Sequence, residues 1–142
     1  MRRSLRRYAH AVDAPAGTAE IEVEPAQVAE WLEASGAVGE GQEAMPGAPS
    51  AQVIDVRESY EREAGHIAGT RHIEFASLTA EAAMIEQERP VVFYCRVGSR
   101  SDVAAQAFRG AGYQAYSMSG GLVRWEQEGR PLSPADGHVA NH

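Results

Sequence analysis

Hydrophobic positions come in short runs and helical stripes, and they alternate along the chain. "AEIEV" (19–23) alternates apolar and polar residues, as a short strand does. Pro25 suits a first helical position, and Val28, Trp31 and Leu32 then recur at helical spacing, with Gly36 as a stop. "QVIDVR" (52–57) is an apolar run closing on charge, the pattern of a buried parallel strand. "ESYEREAGHIAGT" predicts a helical turn and a glycine-bounded loop, and "RHIEF" a short strand. "SLTAEAAMIEQE" (77–88) reads as a helix with Leu78, Ala82 and Ile85 on one side. "PVVFYC" (90–95) is the clearest strand. "RSDVAAQAFRGAG" (100–112) is the clearest helix, its apolar face drawn from Val103, Ala104, Ala107 and Phe108. "AYSMSGG" gives a further strand and loop, and "LVRWEQEG" a last helix. Strands alternating with helices predict an α/β fold with a mainly parallel sheet of about five strands.

Three segments stand outside that alternation. Residues 1–18 read as a flexible basic extension and residues 133–142 as a C-terminal tail. Residues 36–51, rich in Gly, Ala and Pro, form a connection longer than most in a compact domain.

The 142 residues match one domain, able to bury a core without disulfides or a structural metal. The net charge of −7 divides unevenly: Arg2, Arg3, Arg6 and Arg7 make the start basic, and the rest is acidic. An acidic body argues against general nucleic-acid binding. No run approaches the ~20 apolar residues that span a bilayer, so neither membrane nor nucleic acid is expected as a partner, and a cytoplasmic location is the default. His138 and His142 stand four apart without a third ligand, so no metal site is expected there.

One cysteine, Cys95, excludes an internal disulfide and any multi-cysteine metal site. It stands in "YCRVGSRS" (94–101), between the clearest strand and the clearest helix. In open α/β sheets that is where sites gather. Gly98 allows a tight curl, the helix start points its positive end at the loop, and Arg96 and Arg100 add fixed charge. Such a cradle suits an anion: the cysteine's own thiolate, which neighbouring arginines and helix N-termini favour, and a charged group attached to it. Ser99 and Ser101 can cap the helix, and Ser101 can donate to a sulfur on Cys95. Asp55 and Arg57 can pair and brace the loop from beneath. His66 reads as a brace of its own loop rather than as an acid or base.

These residues resemble a rhodanese-type domain over roughly residues 19–132. "VIDVRESYEREAGHIAGTRHI", "YCRVGSRS" and "MSGGLVRWEQEGRPL" correspond, in order, to the family's "DVR" and "GHI" segment, its active-site loop and its closing Gly-Gly and Trp segment. Thr70 stands where the family has Ala, and residues 36–51 are longer than its usual link. The resemblance implies sulfur transfer without a cofactor. Cys95 would take sulfane sulfur from thiosulfate or a persulfide and pass it to cyanide, a thiol or a protein. Arg96 and Arg100, with the backbone N–H groups of Arg96, Val97, Gly98, Ser99, Arg100 and Ser101, would hold the anionic donor. Six residues from Cys95 to Arg100 match the sulfurtransferases; related phosphatases and arsenate reductases have one more. The alternative is a sulfur-carrier or regulatory module that binds a protein partner without turnover.

Overall fold

In the computed structural model of the chain, which describes residues 21–36 and 51–142, five parallel strands form one sheet flanked by helices. In chain order the elements are β1 (Glu22–Val23), α1 (Pro25–Gly36), β2 (Gln52–Asp55), α2 (Ser59–Ala64), β3 (Arg71–His72), β4 (Val91–Tyr94), α3 (Ser99–Gly110), β5 (Ala115–Met118) and α4 (Gly121–Gln127). The strand order is β1-β5-β4-β2-β3, so β4 is central, paired with β2 on one side and β5 on the other. The chain runs from β2 out to the β3 edge and returns to the far side of β2 as β4. The order thus reverses at the β2–β4 junction, where a parallel sheet leaves a crevice beyond its strand ends.

Side chains alternate across the sheet with a period of two. Val91 and Phe93 of β4 face α3, in a core with Ile54, Val56, Ala104, Ala105 and Phe108. Val92 and Tyr94 face the opposite way, into a core with Val28 of α1 and Leu122 and Trp125 of α4. Trp31 and Leu32 pack at that second core's margin, as their spacing predicts. The sheet is therefore covered on both sides, and β2, β4 and β5 are buried at every position.

Two elements differ from the sequence expectation. Residues 77–88 do not form a continuous helix; two 3-10 turns, Phe75–Ser77 and Ala82–Met84, take its place. Leu78 and Ile85 are nevertheless buried, with Ala82 packed against them. Inward anchoring of a few apolar residues suffices for an irregular crossover, so the apolar spacing alone did not require a helix. The inner face of α3 is also rotated from the expected one. Its buried residues are Ser101, Ala104, Ala105 and Phe108, whereas Val103 and Ala107 are exposed. A polar residue, Ser101, opens the buried stripe, and the reason lies at the site.

The expected basic extension, residues 1–18, and the interior of the 36–51 connection lie outside the described residues. The C-terminal segment folds back beside α2: His66 and Ser133 exchange backbone hydrogen bonds, and the His138 N–H donates to the Ala64 carbonyl. The approach is so close that a Cβ on Gly65 would stand 2.5 Å from the His138 oxygen.

Candidate active site

Cys95 is the residue after β4, at the carboxyl edge of the sheet and at its order reversal. The loop turns immediately. Gly98 takes φ +111°, a left-handed conformation that favours glycine, and α3 begins at the next residue. The turn brings the Gly98 N–H to 3.0 Å from Cys95 Sγ, so the backbone donates a hydrogen bond to the sulfur. The first turn of α3 lies directly behind, with its positive end toward the same atom.

A second helix start fixes the loop from the other side. The Leu122 and Val123 N–H groups, in the first turn of α4, donate to the Cys95 and Arg96 carbonyls at 2.8 and 3.0 Å. Those carbonyls are thereby turned toward α4. The contact demands glycine at position 121. Its φ is +63°, and a Cβ there would lie 2.4 Å from the Arg96 oxygen and 2.7 Å from the Cys95 oxygen. The "SGG" of the sequence is thus part of the site's construction.

The two loop arginines have different surroundings. Arg100 donates from Nη1 and Nη2 to the two carboxylate oxygens of Glu61, at 2.9 and 3.1 Å. Glu61 is wholly buried and also accepts the Glu58 N–H, closing a reciprocal cap at the start of α2. Burial works against its charge, but the Arg100 hydrogen bond, the Glu58 N–H and the Arg100 charge together hold the Glu61 carboxyl below its ordinary range. Burial likewise works against the Arg100 charge; the Glu61 hydrogen bond and charge outweigh it and hold Arg100 above its ordinary value, and Cys95 adds to that electrostatic support. Arg96 has no such partner. Its Nη2 reaches Asn141 Oδ1 at 3.4 Å, and its buried Nε has no hydrogen-bond partner among the described residues. Glu61 was not among the candidates read from the sequence, because nothing in "ESYEREAG" separates it from Glu58 or Glu63.

The remaining loop residues divide by direction. Val97 is half-exposed on the rim, and Ser99 opens α3 at the surface. Ser101 points inward, its hydroxyl 3.5 Å from Cys95 Sγ, 3.2 Å from the Gly98 carbonyl and 2.8 Å from the Ser117 hydroxyl on β5. Cys95 itself is fully buried and unpaired.

Asp55 and Arg57 form a pair, but not beneath the cysteine loop where the sequence reading set it. Arg57 Nε and Nη2 donate to the two Asp55 oxygens at 2.9 and 2.8 Å, and neither side chain has any exposure. Burial opposes the Arg57 charge, and the Asp55 hydrogen bond and charge overcome it and raise Arg57 above its ordinary value. From that pair Arg57 Nη2 also reaches the Gly65 carbonyl at 2.7 Å, so it fixes the 65–66 turn rather than the cysteine loop itself. His66 belongs to the same turn, its Nδ1 facing the Arg62 carbonyl at 3.1 Å and not the sulfur. Thr70 bonds the Ile67 carbonyl at 2.6 Å and lies 3.2 Å from the Tyr94 hydroxyl. It ties this turn to the end of β4, so the departure from Ala is structurally used.

The comparisons with known proteins give the family and the fold. A family model described as "Rhodanese-like domain" matches residues 39–128, well over half of the chain. The chain belongs to the rhodanese-like family. Among curated relatives, "Uncharacterized protein YqhL" of Bacillus subtilis (strain 168) is 40% identical over 85 residues, 59% of this chain and 68% of that protein. "Thiosulfate sulfurtransferase GlpE" of Pseudomonas aeruginosa (strain UCBPP-PA14) is 37% identical over 87 residues, 61% of this chain and 76% of that protein. Among solved structures, a rhodanese-related protein from Thermoplasma volcanium superposes with a TM-score of 0.64 at 24% identity, covering 78% of this chain and 95% of that one. The rhodanese-like fold expected from the sequence is the fold of the molecule. Among the described residues no helix is long and apolar enough to cross a membrane, and no group of three or more His, Cys, Asp or Glu could hold a metal ion.

Proposed function

We propose that this rhodanese-like chain is a sulfurtransferase whose Cys95 carries sulfane sulfur as a persulfide. The observation that carries the reading is the six-residue loop whose Gly98 N–H reaches Sγ at 3.0 Å, between the first turns of α3 and α4. The similarity to proteins named thiosulfate sulfurtransferase supports it. In the first half-reaction the Cys95 thiolate attacks the outer sulfur of thiosulfate. The S–S bond of the donor breaks, sulfite leaves with the electron pair, and Cys95 becomes Cys–S–S⁻. In the second, a thiophile such as cyanide or a thiolate attacks the outer sulfur. The Cys95 thiolate is then the leaving group, and the cysteine is restored. Neither step requires an external oxidant or reductant.

The residues divide the work. Gly98 N–H and the α3 terminus meet the developing negative charge at sulfur, where preorganised donors contribute most. Arg96, with donor capacity unspent, grips the anionic end of the donor. Arg100 shapes the loop through Glu61. A persulfide donor would use the same groups. The proposed setting is a protein inside the cell with a thiol, cyanide or protein acceptor.

A second reading has one observation in its favour. Cys95 has no solvent exposure, whereas reactive thiols are usually partly open. A carrier or regulatory module that opens only on a protein partner would show that burial. Intact-protein mass spectrometry after thiosulfate treatment tests the proposal. A gain of one sulfur mass, about 32 Da, reversed by cyanide and absent in Cys95→Ser, is expected. No adduct with thiosulfate or a small persulfide would overturn the enzyme reading in favour of the carrier.

A further inference from the structure

Ser117 is wholly buried in the middle of β5, in the strand Ala115–Met118. Tyr116 and Met118 point to the α1/α4 side, so Ser117 points with Ala115 to the α3 side, where the core is otherwise apolar. A hydroxyl there costs free energy unless it is bonded. Its partner is Ser101 Oγ, 2.8 Å away, and Ser101 Oγ is in turn 3.5 Å from Cys95 Sγ. Two hydroxyls therefore form a chain from the sheet interior to the sulfur.

The proton count decides what the chain can do. Ser101 has one hydroxyl proton and three acceptors within reach: the Gly98 carbonyl at 3.2 Å, the sulfur, and the Ser117 hydroxyl oxygen at 2.8 Å. The Gly98 carbonyl already accepts the Asp102 N–H at 2.9 Å, so it remains satisfied when Ser101 turns away. With a neutral thiol, Ser101 can keep the Gly98 carbonyl and accept from the S–H. With a negatively charged sulfur, Ser101 can rotate its proton to Sγ, provided another donor meets its oxygen. Ser117 can be that donor, because either hydroxyl of the pair can give its proton to the other. Donation from Ser117 polarises the Ser101 hydroxyl and strengthens its own donation, as linked hydrogen bonds do in a dry interior.

We propose that Ser117 is a positioning residue for Cys95: it holds and polarises the Ser101 hydroxyl so that Ser101 donates to the charged sulfur. The inference rests on the reading of Cys95 as the reacting group, and it names a residue on a different strand that touches no donor.

The test is a double-mutant cycle on Ser101→Ala and Ser117→Ala, with Ser117→Thr as the conservative variant. Two rates are measured: alkylation of Cys95 by iodoacetamide, and single-turnover persulfide formation over a range of thiosulfate concentrations. Loss of a donor to a charged group slows Ser101→Ala about tenfold, and Ser117→Ala several-fold, in both reactions. The double variant is no slower than Ser101→Ala alone, because Ser117 acts only through Ser101. The limiting rate falls while the half-saturating thiosulfate concentration holds, and Ser117→Thr restores the rate. Wild-type alkylation in Ser117→Ala, or a double variant whose loss is the product of the two single losses, would overturn the proposal. If Ser117→Thr does not melt cooperatively, the cycle with alanine still decides. Alkylation needs no sulfur donor. Coupling in alkylation without any persulfide would remove the sulfurtransferase reading and leave the Ser117 assignment standing.

Discussion

The two ends of the Cys95 loop are held in opposite ways. At the closing end, Arg100 is fixed by two hydrogen bonds to buried Glu61, and Ser101 by Ser117 and the Gly98 carbonyl. Every polar group there named has a partner drawn from the fold. At the opening end, the backbone is fixed by α4, but the Arg96 side chain has one long bond to Asn141 and a buried Nε without a partner. An arginine saturated by a carboxylate has few donors left for a ligand; one left unsaturated has them in reserve. Two identical residue types four positions apart thus differ in surroundings: Arg100 is spent on a buried carboxylate, and Arg96 is left with one long bond.

The widest break in that comparison is Gly121→Ala, which should strike both ends together. The new Cβ would fall 2.4 Å from the Arg96 carbonyl on a backbone at φ +63°. Overpacking and left-handed strain together should cost about 3 kcal/mol. The expected result in chemical denaturation is a large drop in midpoint, with persulfide formation abolished even in the folded fraction, because the Leu122 and Val123 donors can no longer reach the loop. Near-normal stability and transfer would mean that α4 does not set the loop.

Much of this arrangement was legible in the sequence, and the illegible parts have physical reasons. The strand–Cys–Gly–helix order placed Cys95 at the sheet edge because the β4 and α3 patterns are strong on each side of it. The Asp55–Arg57 pair followed from two charges at the end of an apolar run. What escaped was partner choice over long separations: Glu61 meets Arg100 across 39 residues, and Ser117 meets Ser101 across 16. Local periodicity has no term for such contacts. The α3 face was misassigned for a related cause. Hydropathy put Val103 and Ala107 inside, but the helix is rotated so that Ser101 faces the sulfur, and Val103 is left half-exposed. The 77–88 crossover shows the opposite case, with Leu78 and Ile85 correctly inward on turns that are not a helix.

Glu61→Gln breaks the closing end alone. Arg100 keeps a neutral acceptor but loses its charge partner in a largely buried place, at a cost of about 2 kcal/mol, the scale of a hydrogen bond to a charged group. The pH dependence gives the sign. The folded Glu61 carboxyl titrates below its ordinary range, so its contribution is complete at pH values above the unfolded carboxylate value, about 4.3. It disappears as the pH falls through the lower, folded value. The stability difference between wild type and Glu61→Gln should therefore be full at pH 7 and shrink in strong acid. A difference that stays constant down to pH ~2 would assign the loss to packing rather than to the ion pair.

Arg96→Ala addresses the opening end, and it should leave the fold nearly untouched. The side chain gives up one bond of 3.4 Å, so the change in stability should stay within about 0.5 kcal/mol. Its effect belongs to the donor instead. Losing a charge-assisted grip on an anion should raise the half-saturating thiosulfate concentration about tenfold, with the limiting rate of persulfide formation changed much less. Glu61→Gln should show the reverse pattern, with stability lost first and donor affinity only as the loop loosens. If Arg96→Ala instead lowers stability and leaves thiosulfate saturation unchanged, the two arginines share one structural task. The unsatisfied Nε would then be a cost of loop geometry and not a reserve for the ligand.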